Sequence, residues 1–233
     1  TSERQFGSSA KPYTYLASFG AGKGFSPGTL APDIPMSFGK YAPKDWDGQF
    51  EGIGTLRRNF GRSRNVSAVY VLQTIGVDSL LQLTEKLGIT TLKNKADYGL
   101  SLALGAGEMK LIEHTAAFGV FDNEGVKNPT VTILKVEDSQ GNVLEEAKIG
   151  EGTRVVDEKE IYLLNYVLCD LGGFGDRLGV SYSKVNGKNV CFKTGTTDGP
   201  RDLTTMMYHK NLVVGVWTGN NNNAIARNAT STA

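Results

Sequence analysis

The chain is 233 residues long, with 39% hydrophobic and 21% charged residues. Those are the proportions of a folded globular chain large enough to bury a sizeable core. A formal net charge of +1 gives no global attraction to nucleic acid or to an anionic membrane surface. No apolar run of about 18 residues occurs, and no basic start leads into an apolar stretch, so neither a membrane span nor a signal peptide is legible.

In chain order, Gln5-Phe6-Gly7 is a lead-in, and a helix is predicted from Ser8 through Tyr13, Tyr15, Leu16 and Phe19. Serine is favoured at a helix N-terminus, and Pro12 is tolerated in a first turn whose N–H groups have no helical partner. Residues 20–50 are dense in glycine and proline and read as one long surface loop, of a length that is often functional. Residues 52–104 read as helical, with Asp78 capping Ser79–Leu87, with Leu80, Leu83 and Leu87 on one stripe, and with Gly88 as the stop. Lys110–Phe121 is the next helix, ended near Gly125. Thr130–Glu137 and Val143–Ile149 alternate apolar and polar residues across Ser139–Asn142, a hairpin signal. Asp157 with Glu160 resembles a capping box, and the helix behind it carries Ile161, Leu164, Val167 and Leu171 up to Gly172-Gly173. Asn189–Phe192, Leu203–Tyr208 and Leu212–Thr218 form a meander, turning at Asp198-Gly199-Pro200 and His209-Lys210. Helices in the middle and strands at the end give an α+β domain.

Cys169 and Cys191 read as two partly buried free thiols, with a disulfide between them as the alternative. The cysteines do not form a C-x-x-C pair and only two histidines accompany them, so no zinc site is read, and no cofactor or metal is expected. His114 reads as a helix-face residue and His209 as a turn residue, with no Ser-His-Asp arrangement. Gly20-Ala21-Gly22-Lys23-Gly24 lacks the spacing of a phosphate loop, and Gly105-Ala106-Gly107 reads as a turn between helices. Trp217 reads as core, and Trp46 is balanced between packing and lining a substrate groove.

Chemistry concentrates in Ser8-Ser9-Ala10-Lys11, Ser63-Arg64-Asn65 and Lys193-Thr194-Gly195-Thr196. Composition alone yields about one Ser-x-x-Lys by chance, and Ser37/Lys40 and Ser181/Lys184 also fit. Only Ser8 stands at a predicted helix start, where residues three apart are stacked neighbours. A serine hydroxyl needs an adjacent base to become a nucleophile, and Lys11 serves if burial or a second cation lowers its pKa. Lys-Thr-Gly is scarcer by chance, at roughly 0.2 matches per chain of this composition. It follows an apolar strand, and Gly195 there lets a substrate backbone come close.

Ser-x-x-Lys, Ser-x-Asn and Lys-Thr-Gly in that order resemble the penicillin-binding proteins and serine β-lactamases. The flanks narrow the resemblance. Arg4-Gln5-Phe6-Gly7-Ser8-Ser9-Ala10-Lys11-Pro12, Ser63–Val69, Leu102–Glu108, Lys193–Thr197 and Val213–Asn220 are similar to segments of the bifunctional, class A penicillin-binding proteins, over almost the whole chain.

The resemblance implies one transpeptidase domain over residues 1–233, part of a longer chain, with an antiparallel sheet and an all-helical subdomain. It implies Ser8 as acylated nucleophile, Lys11 as its proton acceptor and Ser63 as relay to the leaving amine. Asn65 would hold Lys11 or the substrate amide. Lys193, Thr194 and Thr196 would orient the substrate carboxylate, and Thr197 and Trp46 join them as substrate-binding residues. The N–H groups of Ser8 and Thr196 would form the oxyanion hole. Its substrates would be peptidoglycan stem peptides ending in D-Ala-D-Ala, with β-lactams as covalent inhibitors. A glycosyltransferase domain and a membrane anchor in the full-length protein would set the domain on the outer face of the bacterial cytoplasmic membrane. Rival readings are a β-lactamase or D,D-carboxypeptidase of the same fold, and a non-catalytic module that binds β-lactam or peptidoglycan. The separation of 130 between Ser63 and Lys193 favours the transpeptidase.

The sequence also departs from the family. Leu203-Thr204-Thr205-Met206-Met207 stands where bulky aromatics are usual, which puts the packing behind the third motif in question. Two strands before the nucleophile helix and a helix after the last strand are expected to be missing, leaving an exposed sheet edge and an uncovered apolar face.

Overall fold

The computed structural model describes residues 2–169, 184–185, 188–226 and 229. At its centre is α1 (Lys11–Gly20), where every residue from Lys11 to Ser18 is buried. A helix apolar or small on all sides has nowhere to go but the core. Tyr15 stacks on Phe60 with centroids 4.2 Å apart, and burying one such side chain contributes about 1.5–3 kcal/mol. Around α1 pack α3 (Asn65–Ile75), α4 (Val77–Leu87) and α6 (Glu158–Leu168).

Several boundaries differ from those predicted. The lead-in is a strand, β1 (Glu3–Gln5), paired antiparallel with β4 (Glu108–Lys110). Residues 20–50 are not all loop. Leu30–Asp33 forms β2, which pairs with β3 (Gly52–Thr55) ahead of α2 (Leu56–Gly61). The helices α2–α4 are therefore flanked by a ribbon and do not form an all-helical subdomain. Gly76 (φ 83°) is the N-cap of α4, and Asp78 lies inside the first turn, where its carboxylate pairs with Lys95. Gly105 follows a short 3₁₀ segment (Leu100–Leu104) and leads to β4, so that turn joins a helix to a strand.

Helix α5 (Leu111–Asp122) stands where predicted. Beyond it, β5 (Val126–Lys127) pairs with β8 (Thr153–Arg154), and between them stands a hairpin of β6 (Lys135–Glu137) and β7 (Val143–Glu146), shorter than its pattern. Asp157 does cap α6, accepting from the Lys159 N–H at 2.8 Å. Leu171, Gly172-Gly173 and Ser181 lie outside the described residues. β9 (Lys184–Val185) pairs with β10 (Lys188–Asn189).

The predicted meander is β11 (Cys191–Thr196), β12 (Asp202–Tyr208) and β13 (Val213–Gly219), all antiparallel. Helix α5 covers β12 and β13. The unusual run on β12 packs well. Leu203, Thr204 and Met206 are buried, and Gly215 opposite leaves the room that Met206 and Thr115 fill. Among the described residues β13 has no strand on its outer side, and Val214 and Val216 on it are 42% and 49% exposed.

The free-thiol reading of the cysteines is overturned. Cys169, capping the end of α6, is disulfide-bonded to Cys191 at the start of β11. Sequence could not decide this, because whether two lone cysteines pair depends on the fold. Their separation is 22 residues, for which loop-closure entropy gives about 3 kcal/mol. Reduction, or paired Cys169→Ser and Cys191→Ser substitution, is expected to lower the melting temperature by about 6–12 °C. An unchanged melt would refute this.

Candidate active site

Ser8 is not the first residue of the α-helix. It sits in a 3₁₀ turn, Gly7–Ala10, and α1 begins only at Lys11. The face-sharing argument survives, since residues three apart eclipse in a 3₁₀ turn. Three glycines hold this turn in a tight slot. A Cβ on Gly195 would sit 2.7 Å from the Ser9 nitrogen, one on Gly7 (φ 53°) 2.8 Å from the Thr196 carbonyl carbon, and one on Gly105 2.7 Å from the Gly7 nitrogen. Gly195 thus lets the turn that carries Ser8 approach β11, a different reason from the substrate approach expected of it.

The second motif is built by the end of α2. The Arg64 N–H donates to the Asn59 carbonyl and the Ser63 N–H to that of Phe60, both at 2.8 Å. This is the Schellman pattern, with Ser63 at the left-handed position usually given to glycine. Its φ is 55°, a conformation that costs an L-residue roughly 1–2 kcal/mol and tends to persist at functional sites. The strained turn aims the Ser63 hydroxyl and carbonyl at the two lysines.

Lys11 Nζ donates to the Ser63 carbonyl at 2.5 Å and to Asn65 Oδ1 at 2.7 Å, and lies 3.2 Å from Ser63 Oγ. Lys193 Nζ reaches the same Oγ at 3.0 Å and the Thr194 carbonyl at 2.8 Å. Both lysines are buried. Burial first, and the Lys193 cation second, hold Lys11 well below the usual lysine pKa. Burial brings Lys193 to about 7. A neutral Lys11 has two N–H donors, which match the two carbonyl oxygens, and one lone pair left for a proton from Ser63 Oγ, which in turn accepts from Lys193. The three motifs therefore meet in one short hydrogen-bonded chain. Among the described residues no hydrogen bond joins Lys11 to Ser8.

A buried charge cluster fixes this arrangement from behind. Arg64, fully buried, pairs with Asp33 at 2.8 Å, Asp47 at 3.0 Å and Asp45 at 3.4 Å, and also meets the Gln49 carbonyl. Asp45 Oδ1 accepts from the Asn65 N–H at 2.5 Å, capping α3 from across the chain, and the Lys44 carbonyl accepts from Asn65 Nδ2 at 2.8 Å. Burial, and next the Asp33 carboxyl beside it, lift the Asp45 carboxyl to about 6.

Thr194, Gly195 and Thr196 of the third motif line a cleft, which has a volume of about 1060 Å³ and also takes in Ser8, Ser63, Asn65 and Trp46. Thr194, Gly195, Thr196 and Thr197 face it. The Thr197 hydroxyl is engaged within its own hairpin, accepting from the Asp202 N–H at 2.9 Å and donating to Asp202 Oδ2 at 3.2 Å. Trp46 is 63% exposed on the rim. Trp217 is half-buried against the core and donates from Nε1 to Asp202 at 2.9 Å, with the Arg4 guanidinium over its ring. Among the described residues no group of histidine, cysteine and acidic side chains is placed to hold a metal.

Sequence reasoning missed Arg64 and its acids, although the arginine inside Ser-x-Asn was in view. It also missed His114, which is buried against Ser9 and Tyr13.

No family model matches the chain. Penicillin-binding protein 1A of Neisseria flavescens is 30% identical over 227 residues, covering 93% of this chain and 28% of that protein. Its Aquifex aeolicus counterpart is 33% identical, covering 93% of this chain and 29% of that protein. The chain thus spans less than a third of the length of these curated relatives. In fold it is similar to penicillin-binding protein 1A of Haemophilus influenzae, with TM-score 0.85 and 24% identity over 99% of this chain and 40% of that one. It is also similar to the PonA1 protein of Mycobacterium tuberculosis, solved in complex with penicillin V, with TM-score 0.82 and 18% identity over 95% of this chain and 62% of that one. Over most of its length the chain is homologous to penicillin-binding protein 1A, a class A penicillin-binding protein.

Proposed function

We propose that this chain is the acyl-transfer part of a serine D,D-transpeptidase that cross-links peptidoglycan stem peptides. The observation that carries the reading is the convergence of Lys11 and Lys193 on one hydroxyl, Ser63 Oγ, beside a cleft that Ser8 also lines. Ser8 Oγ attacks the carbonyl of the penultimate D-Ala and forms an ester. The hydroxyl proton passes to the Lys11 amine and on through Ser63 to the departing D-Ala nitrogen as the peptide bond breaks. An amine of a neighbouring stem peptide then attacks the ester. A new amide forms, the C–O bond breaks, and Ser8 regains its proton. Lys193, Thr194 and Thr196 hold the substrate carboxylate, and the Ser8 and Thr196 N–H groups take the developing oxyanion. Thr197 and Trp46 border the bound peptide.

A β-lactam enters the same path and leaves a stable ester on Ser8. The homology supports a place in the cell envelope, and the whole protein would supply a glycosyltransferase domain and an anchor. Incubation with a fluorescent penicillin, followed by intact mass, is expected to give a one-to-one adduct that is absent in Ser8→Ala. An adduct that survives in Ser8→Ala, or none in folded wild-type protein, would refute the assignment.

A further inference from the structure

His114, on α5, is fully buried and yet uses both ring nitrogens. Nε2 lies 3.0 Å from Ser9 Oγ and Nδ1 lies 2.6 Å from the Tyr13 hydroxyl. Ser9 Oγ also donates to the Phe6 carbonyl at 2.8 Å. Counting hydrogens fixes the tautomer. Ser9 has one hydroxyl hydrogen and it goes to Phe6, so its oxygen accepts from His114 Nε2–H. Nδ1 is then bare and accepts from Tyr13. The reverse orientation would leave the Phe6 carbonyl without the hydroxyl and the buried Tyr13 hydrogen without this acceptor. Burial agrees with a neutral ring, holding the His114 pKa down to about 3, and raises that of the Tyr13 phenol.

The relay runs Tyr13 to His114 to Ser9 to Phe6, and its far end is the turn that carries Ser8. Phe6 also stacks on the His114 ring with centroids 4.5 Å apart. On the other side the turn meets Gly195 and Thr196 without a side chain's width to spare. The turn is thus gripped between β11 and a hydrogen-bonded ring on α5.

We propose that His114 is a positioning residue, acting through Ser9 to fix the Phe6–Ser9 turn and so the direction of the Ser8 hydroxyl and N–H into the cleft. This rests on the reading of Ser8 as nucleophile. The role lies in the bound complex on its way to the ester, and affinity before reaction is outside it.

The test is the acylation of the protein by a chromogenic β-lactam, with pre-equilibrium binding and the acylation step resolved by stopped flow. His114→Phe keeps the ring and the stacking but loses both hydrogen bonds, and is expected to slow the acylation step by about 10- to 100-fold, the cost of a small misplacement, with binding little changed. His114→Gln offers an amide N–H in place of Nε2–H and restores most of the rate. Ser9→Ala shows the same loss as His114→Phe, and the double variant is no slower than either single one, because both break one chain. Wild-type acylation in folded His114→Phe, or losses that multiply in the double variant, would overturn the proposal. If His114→Phe does not fold, Ser9→Ala decides alone, and a wild-type rate there overturns it. Ser8→Ala runs beside them. Labelling that persists in it refutes the nucleophile reading and this proposal together, whereas Ser8-dependent labelling with unaffected His114→Phe refutes only this one.

Discussion

Lys11→Met is expected to slow acylation by a β-lactam by about 10²–10⁴-fold, the range a positioned general base contributes. Lys11→Arg is expected to be as slow, although it keeps the charge, because a guanidinium does not give up its proton. As the base proposed for Ser8, Lys11 works as the neutral amine. Burial and the Lys193 cation hold its pKa well below the usual 10.5, so the neutral fraction grows as pH rises through that lowered value, and the rate grows with it. Lys193 acts in the opposite sense. Its pKa is about 7, and above that it loses the charge proposed to hold a carboxylate. The second-order acylation rate is therefore expected to gain with rising pH as Lys11 loses its proton and to lose as Lys193 is discharged about pH 7, giving a bell-shaped profile. The rising limb disappears in Lys11→Arg. A rate in Lys11→Met or Lys11→Arg equal to wild type at neutral pH would end the assignment of Lys11 as base.

Arg64→Met is expected to cost about 3–5 kcal/mol of folding stability in urea titration, the cost of removing one partner from a buried ion pair. The estimate rests on burial. Asp33 and Asp45 are fully buried beside the guanidinium, and without it both would face a medium that does not solvate them. A loss of that size is a large part of the 5–15 kcal/mol by which domains are folded. Adding Asp33→Asn to Arg64→Met is expected to recover part of it, since one of the stranded charges goes. The cluster also reaches the cleft, because Asp45 and the Lys44 carbonyl hold Asn65 against Lys11. A loss below about 1 kcal/mol, the worth of an exposed pair, would show that the cluster is solvated and that its geometry carries little energy.

What the sequence made legible were features written in nearest neighbours. The spacing of Ile161, Leu164 and Val167 behind Asp157 was enough for α6, and turn residues between strand-like runs were enough for the meander. The three motifs were readable because each is contiguous. What stayed hidden was long-range. Nothing near His114 points to Ser9, 105 residues away. Nor does anything near Arg64 tell which acids of an irregular loop fold back on it. The start of α1 was misplaced because Ser8 favours a helix N-terminus, while Gly7 and the press of β11 impose a tighter turn. The pairing of Cys169 with Cys191 depended on where α6 ends relative to β11, which no local pattern encodes.

The left-handed backbone at Ser63 has a consequence for how this residue can drift. The end of α2 alone would accept glycine there more readily than serine. Glycine would relax the turn, but it would also remove the hydroxyl on which both lysines converge. Selection for a sturdier fold and selection for reactivity therefore pull in opposite directions at one position. A lineage released from the reaction would be free to settle on glycine, so the residue found at 63 in any close relative reports which pressure has prevailed.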